Sequence, residues 1–294
     1  SVNLSGLTPG TTYHYRIEAK NAEGTSYGKD STFTTKDFPS LAYSYDSTLC
    51  VGDVLSITNQ STISTGTLSY VWQIRNSSGS LVHTSTDVNP TFTMASAGTY
   101  TIKLTASSSD AVTTTKTTGL VVEAIPTPSI TAGGATTFCQ GGTVTLTGST
   151  GYQSYMWSNG STTSSIAVAD SNTYTLTVSS ANGCSGSTAI NIDINPLPTA
   201  TVVSATGDYD FCDGSSLTLE APTGASGYQW YKDGSAITGG TSSTLSATSS
   251  GSYAVEVTSS DGCSSLSSAQ SVTKNVLPTA AISNGSALSF CDGG

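Results

Sequence analysis

The sequence predicts an all-β protein that contains a tandem string of β-sandwich domains. Three observations support this prediction: one layout recurs along the 294 residues, apolar residues alternate with polar ones, and no stretch keeps a helical apolar period. In the segment 173–178, Tyr174, Leu176 and Val178 would line one face of a strand and threonines the other. One buried and one wet face is typical of strands in stacked sheets.

The repeated layout begins with Cys-x-Gly, continues with an alternating strand and a strand that contains Trp, and ends with a Tyr-centred strand. Because the tryptophans occupy the same position in every copy, we expect them in the sandwich cores, together with the tyrosines. The alternative, a sugar-binding platform, would require exposed aromatic rings. The predicted core aromatic residues are Trp72, Trp157, Trp230, Tyr13, Tyr100, Tyr174 and Tyr253.

Short joints that contain proline separate the copies, at Pro126 and Pro128, at Pro196 and Pro198, and at Pro278. Proline cannot donate to a strand ladder, so it is expected where one sandwich ends and the next begins. The predicted domains are 1–36, 37–124, 125–197, 198–277 and the start of a further repeat, 278–294.

Residues 1–36 resemble the C-terminal part of a fibronectin type III domain. Leu7, Pro9 and Tyr13 match its tyrosine corner, and Phe33-Thr-Thr35 matches its last strand. The resemblance implies that the Tyr13 hydroxyl bonds the backbone just upstream. It also implies that the first strands of this domain are missing. We therefore expect that neither this segment nor 278–294 forms a core of its own.

The remaining repeats resemble two bacterial domain families. Residues 37–124 are similar to a PKD or related immunoglobulin-like domain, on Tyr70-Val-Trp72 and Ala97-Gly-Thr-Tyr100. The next two domains resemble the immunoglobulin-like repeats of giant cell-surface adhesins from gliding, type IX-secreting bacteria. The motifs that carry this second resemblance are Phe138-Cys139-x-Gly141 with Asn182-Gly-Cys184, and Phe211-Cys212-x-Gly214 with Asp261-Gly-Cys263. The resemblance implies an extracellular location at a bacterial cell surface.

All six cysteines are predicted to be structural disulfide residues: Cys50, Cys139, Cys184, Cys212, Cys263 and Cys291. Pairing within a domain would join Cys139 to Cys184, although these positions are expected at opposite ends of one sandwich, roughly 20 Å apart. Pairing between neighbours would join Cys50 to Cys184 and Cys139 to Cys263. The neighbour scheme also gives Cys50 a partner, which the scheme within domains does not. We favour the neighbour scheme, and both remain open at this point.

Charge and composition exclude several classes of function. The net charge of −10 disfavours binding to nucleic acid or to anionic lipid, and no apolar run is long enough to span a membrane. Neither His14 nor His83 lies in a cluster with metal-ligand spacing, and no nucleophile has an adjacent base. We expect no enzyme activity, cofactor or metal. Calcium held by aspartates between domains is the alternative, although no Asp-x-Asp-x-Asp-Gly loop occurs.

Two triplets, Asp30-Ser31-Thr32 and Asp46-Ser47-Thr48, are similar to the O-glycosylation motif of this bacterial group. Ser31 and Ser47 are therefore candidate glycosylation sites.

The predicted function is structural: a stalk segment of a long secreted cell-surface adhesin or extracellular filament. Its expected partners are further repeats of the parent chain, copies of itself in a filament, and surface polysaccharide. One alternative is a polysaccharide-binding module, and another is the accessory region of a secreted hydrolase with its catalytic domain elsewhere.

Overall fold

The computed structural model describes residues 3–280, and within that range it contains 28 β-strands and no helix. The prediction of an all-β protein is therefore confirmed. Since the described chain is built from strands, no helix in it is long and apolar enough to cross a membrane. From residue 281 on, the predicted start of a further repeat, including Cys291, lies outside the described residues.

The N-terminal segment, residues 3–36, forms two separate two-stranded sheets, in which β1 pairs with β4 and β2 with β3. No side chain in this segment is buried. The placement of Tyr13 in a core was therefore wrong: its ring is half-buried, because two small sheets cannot enclose it. Its hydroxyl still accepts a hydrogen bond from the Thr8 backbone N–H at 2.7 Å. The strands are β1 (Thr12–Tyr15), β2 (Glu18–Asn21), β3 (Gly24–Tyr27) and β4 (Ser31–Thr34).

The first sandwich packs a three-stranded sheet, β10-β7-β5, against a five-stranded sheet, β6-β12-β11-β8-β9. Alternate residues of the long strands, such as Ile102 and Leu104, are fully buried between the sheets. Its strands are β5 (Tyr43–Tyr45), β6 (Thr48–Cys50), β7 (Val54–Asn59), β8 (Leu68–Asn76), β9 (Leu81–Ser85), β10 (Thr91–Thr93), β11 (Gly98–Ser108) and β12 (Thr113–Glu123).

The middle sandwich has the sheets β13-β15-β17 and β14-β19-β18-β16. The alternation seen in the sequence is present, since Tyr174, Leu176 and Val178 are buried. Its strands are β13 (Ile130–Ala132), β14 (Thr137–Cys139), β15 (Val144–Gly148), β16 (Ser154–Trp157), β17 (Ser165–Val168), β18 (Asn172–Ser179) and β19 (Ser185–Asn195).

The third sandwich has the sheets β20-β22-β25 and β21-β28-β26-β23-β24, with β27 also paired to β26. Its strands are β20 (Val203–Ser204), β21 (Asp210–Cys212), β22 (Leu217–Glu220), β23 (Gly227–Lys232), β24 (Ser235–Ala236), β25 (Thr244–Ala247), β26 (Gly251–Thr258), β27 (Ser264–Leu266) and β28 (Gln270–Asn275).

The three tryptophans occupy equivalent core positions. Trp72, Trp157 and Trp230 are 0%, 1% and 0% exposed. Each indole N–H donates to a backbone carbonyl, at 3.0, 2.9 and 2.8 Å respectively. An indole ring whose N–H is hydrogen-bonded can be buried in a core without an unpaired polar group. The rings are therefore unavailable as a sugar-binding platform.

The repeat tyrosines also share one arrangement. Tyr100, Tyr174 and Tyr253 are buried, and each hydroxyl donates to the backbone carbonyl four residues upstream, at 2.8, 3.3 and 2.9 Å. The ring of each tyrosine thus packs in the core, and its hydroxyl stabilises the turn before its strand.

By its internal contacts the chain divides into two compact units. The first comprises Ser1–Ile130, Gly148–Ser164 and Thr175–Ala189, and contains Cys50 and Cys184. The second comprises Thr131–Thr147, Ser165–Tyr174 and Ile190 onward, and contains Cys139 and Cys263. The described residues of the middle sandwich are thus divided between the two units.

Replacing a core tryptophan should unfold the sandwich that contains it. Trp157→Ala removes a buried ring and is expected to cost about 3–5 kcal/mol. Met156→Ala is the matched control, because Met156 is the preceding residue of the same strand and is 51% exposed. Hydrogen exchange resolved by peptide would locate the loss of protection in residues 130–195. Equal protection in the two variants, or ready acrylamide quenching of all three wild-type tryptophans, would contradict the burial.

Candidate functional site

The first cysteine of each repeat lies beside the point where the chain leaves the sandwich. Strands β6, β14 and β21 each run parallel to the last strand of their own sandwich. This pairing sets Cys50 opposite Glu123, Cys139 opposite Asn195 and Cys212 opposite Asn275. Since each last strand ends at that residue, the cysteine and the outgoing joint share one end of the sandwich.

A tight turn follows each of these cysteines. The cysteine carbonyl accepts from the backbone N–H three residues later, at 3.0 Å after Cys50 and at 3.1 Å after Cys139 and Cys212. The third residue of the turn is always glycine, and its φ is +94°, +92° and +87° in the three copies. A turn with a left-handed third residue requires glycine there, which is the physical reason for the Cys-x-Gly motif.

The second cysteine lies in a hairpin, between β18 and β19 for Cys184 and between β26 and β27 for Cys263. Cys184 accepts at its carbonyl from the Ser180 N–H, and Cys263 from the Ser259 N–H, both at 2.8 Å. The first sandwich has the same turn, but Val112 occupies the cysteine position. The sequence contains the signal for this equivalence, because a serine lies four residues before all three positions.

Two disulfides join neighbouring sandwiches. Cys50 bonds Cys184 with a Cα–Cα distance of 5.6 Å, and Cys139 bonds Cys263 with a Cα–Cα distance of 5.5 Å. The structure therefore contains the neighbour pairs and not a bond between Cys139 and Cys184. Cys184 and Cys263 are 1% and 0% exposed, so the bridges are enclosed on the hairpin side.

Cys212 differs from the other described cysteines, since its thiol is free and exposed. Its expected disulfide is therefore absent from the described residues, whose other four cysteines bond one another. Lys274 forms an ion pair with the adjacent Asp213 at 2.6 Å. Hydrogen bonding by this ammonium group, together with its charge, lowers the pKa of the Asp213 carboxyl.

Close backbone contacts accompany both bridges. The residue two positions after the hairpin cysteine meets the carbonyl of the joint proline: Gly186 lies against Pro126, and the Ser265 hydroxyl donates to Pro198 at 2.7 Å. A Cβ at residue 186 would overlap the Pro126 carbonyl. Beside the first bridge, the Asn182 amide donates to the Glu123 carboxylate at 2.7 Å. Each joint is thus held by direct packing as well as by its disulfide.

The joint before the first sandwich has no disulfide and is held by polar contacts. The Lys36 ammonium donates to the Asp110 carbonyl at 2.8 Å. The Asp37 carboxylate accepts from the backbone N–H groups of Ser64 and Phe38, each at 2.8 Å. Donation from Ser64 holds the pKa of Asp37 below its ordinary value. The charged form is therefore favoured in the folded chain, and the contact is lost as the pH falls through that lowered pKa.

The other candidate residues do not form a catalytic or metal-binding group. His14 lies 2.7 Å from Asp30, and both side chains are more than half exposed. Among residues 3–280 no three His, Cys, Asp or Glu side chains gather at metal-binding distance. Ser47 is exposed and Ser31 half-buried, and their glycosylation stays a prediction.

Comparison with known proteins supports immunoglobulin-like repeats. Residues 198–278 match the family model described as "Ig-like domain CHU_C associated". A search of curated proteins finds no match. The predicted fold class, a tandem string of immunoglobulin-like sandwiches, is thereby confirmed. Immunoglobulin-like domains joined by disulfides fit an extracellular structural or binding module.

Solved structures similar to the chain include the PKD1 domain of Vibrio anguillarum Epp, at 28% identity over 30% of this chain and 95% of that one, with a TM-score of 0.25. A Bacteroides ovatus protein solved with a mixed-linkage heptasaccharide is 17% identical over 83% of this chain and 72% of that one, with a TM-score of 0.25. A chain from a structure of a 1.5-MDa bacterial ice-binding adhesin is 12% identical over 81% of this chain and 99% of that solved chain, with a TM-score of 0.30. At such TM-scores these likenesses carry no functional argument.

A side chain at position 186 should make the Cys50–Cys184 disulfide harder to form, because Gly186 lies against the Pro126 carbonyl. Gly186→Ala places a methyl group where the Pro126 carbonyl lies, so the joint must shift. We expect the equilibrium constant for forming the Cys50–Cys184 disulfide in a glutathione redox buffer to fall about fivefold or more. The reason is that overpacking at residue 186 costs the bridged state about 1 kcal/mol or more. Gly119→Ala is the matched control, since nothing lies within 4 Å of a Cβ there. Equal constants for the two variants, measured by alkylation and mass spectrometry, would show that the packing is loose.

Proposed function

We propose that this chain is a structural segment of a long, secreted bacterial surface protein, covalently tied so that it resists being drawn out under load. The observation that carries the proposal is the pair of overlapping disulfides, Cys50–Cys184 and Cys139–Cys263. The second bridge starts inside the loop closed by the first and ends outside it. The two loops therefore share residues 139–184.

This overlap shortens the covalent route along the chain. Without bridges, the route from position 50 to position 263 is about 210 residues, which extend to about 700 Å at ~3.3–3.6 Å per residue. With both bridges closed, the shortest route crosses from Cys50 to Cys184, runs backwards to Cys139, and crosses to Cys263. That route has about 45 residues and extends to about 150 Å.

A tandem protein without such bridges lengthens each time a domain unfolds, because the whole domain sequence joins the load-bearing path. Here most of the sequence between residues 50 and 263 lies in closed loops that carry no tension once the short route is taut. Unfolding of the sandwiches therefore adds little length. Limited extension suits a stalk that must hold a surface or a ligand at a set distance from a cell.

The setting of the proposed stalk follows from its chemistry. Disulfides persist in oxidising, extracellular compartments. The match of residues 198–278 to an immunoglobulin-like repeat model supports a parent built from such repeats, for which we propose an adhesin or filament of type IX-secreting bacteria. Further repeats of the parent and copies of the chain remain the proposed partners. Burial of the three tryptophans removes the observation that would have favoured a platform for polysaccharide.

Single-molecule stretching of the full chain, held at its two ends, tests the proposal. When fully unfolded, the variant with serine at positions 50, 139, 184 and 263 should be about 550 Å longer than the oxidised wild-type chain. Removing only the first bridge, with Cys50→Ser and Cys184→Ser, should lengthen the chain by about 150 Å. Cys212→Ser is the control and should change nothing, because Cys212 is not bridged. Equal lengths for the oxidised wild-type chain and the four-serine variant would overturn the proposal.

A further inference from the structure

The last strand of the third sandwich is interrupted by a β-bulge. In the first and middle sandwiches the last strand is continuous, as Thr113–Glu123 and Ser185–Asn195. In the third it is divided into β27 and β28. The register pairs Glu256 with Leu266 and Tyr253 with Gln270. Three residues, 267–269, therefore lie opposite two, 254–255. One extra residue therefore bulges from the sheet, a feature that is frequent beside functional sites.

The bulge is held in place by its own hydrogen bonds. The Ser267 hydroxyl accepts from the Val255 N–H at 3.0 Å, and the Ser267 N–H donates to the Val255 carbonyl at 2.9 Å. Ser267 is itself buried. The hydroxyl thus replaces a missing ladder partner, and the bulge is a fixed part of the fold.

A cleft of about 370 Å³ lies beside the bulge, on the outer face of the sheet. The size is within the range of pockets that hold small molecules, roughly 300–1,000 Å³. Ala254 lines it and is 8% exposed, while its neighbours Tyr253 and Val255 belong to the core. Tyr231 and Leu266, which is 62% exposed, supply further apolar surface.

The polar side chains that line the cleft are the Glu256 carboxylate and the hydroxyls of Tyr231, Ser252 and Ser267. The Glu256 carboxylate accepts from the Tyr231 hydroxyl at 2.9 Å through one oxygen, and the Ser252 hydroxyl also lines the cleft. Asp233 precedes the lining residue Gly234 in the two-residue turn between β23 and β24, has a φ of +48°, and its carboxylate accepts from the Ser252 N–H at 2.8 Å.

We propose that this cleft binds a neutral pyranose unit of an extracellular glycan. The Glu256 carboxylate and a chain charge of −10 favour a ligand that donates hydrogen bonds and carries no negative charge. Apolar surface on Tyr231 and Leu266 suits the C–H face of a sugar ring, and Glu256 with Ser252 suits its hydroxyl groups. This binding is separate from the proposed stalk role and does not depend on it.

Saturation-transfer NMR on the full chain tests this proposal. The probes are the methyl glycosides of glucose, galactose, mannose and N-acetylglucosamine, with glucuronate as the anionic probe and ethylammonium as the cationic probe. At least one methyl glycoside should receive saturation, and glucuronate should not. Glu256→Gln should weaken that binding about tenfold or more, because a hydrogen bond to a charged acceptor is lost.

Two further variants separate binding from folding. Leu266→Ser should also weaken binding, and its exposed side chain leaves the core unchanged. Glu220→Gln is the matched control, since Glu220 is an exposed carboxylate outside the cleft, and it should bind as the wild type does. No saturation of any methyl glycoside would overturn the proposal, as would undiminished binding by both Glu256→Gln and Leu266→Ser. Saturation of ethylammonium alone would overturn it in favour of a cation site.

Discussion

The parallel pairing of a short strand with the last strand of each sandwich determines where the cysteines can reach. This pairing sets Cys50, Cys139 and Cys212 opposite the final residue of the last strand, at the end from which the chain leaves. The hairpin cysteine of the same sandwich cannot approach, because it lies where the last strand begins. The following sandwich starts beside the exit, and its hairpin is within reach. Bridges between neighbours therefore follow from strand direction.

The joints show how the rest of the structure adapts to this constraint. Gly186 and Ser265 occupy the same position after the hairpin cysteine, and each meets the carbonyl of a joint proline. Gly186 can lie against its proline because it has no side chain, whereas the Ser265 hydroxyl donates a hydrogen bond to its proline. Where Val112 replaces the hairpin cysteine, the preceding segment is held instead by Lys36 and Asp37. The joint beside this hairpin is thus covalent where the hairpin contains cysteine and polar where it contains Val112.

Much of the fold could be predicted because its signals are periodic. The tryptophans and the tyrosines Tyr100, Tyr174 and Tyr253 each recur at one position in the repeats, and their burial follows from that recurrence. Tyr13 matched a motif, but a motif does not show whether enough strands are present to enclose a ring. Strand direction could also be inferred from the sequence, and it favoured disulfides between neighbouring sandwiches. It did not exclude a Cys139–Cys184 bond, because strand ends read from a sequence shift by a few residues.

The bulge in the third sandwich could not have been predicted. A single inserted residue near Ser267 leaves composition and alternation almost unchanged, and only the strand register shows it. The cleft beside it depends on that register and on small residues such as Ala254, which have no distinctive sequence pattern. Local insertions of this kind alter one repeat and leave the shared scaffold intact.

The most direct test of the account is a non-reducing peptide map of the folded chain, with free thiols alkylated before digestion. The account predicts two cross-linked peptides, one joining Cys50 to Cys184 and the other joining Cys139 to Cys263, with Cys212 alkylated. A peptide that joins Cys139 to Cys184 would contradict it, because that bond lies within one sandwich and leaves neighbouring sandwiches untied.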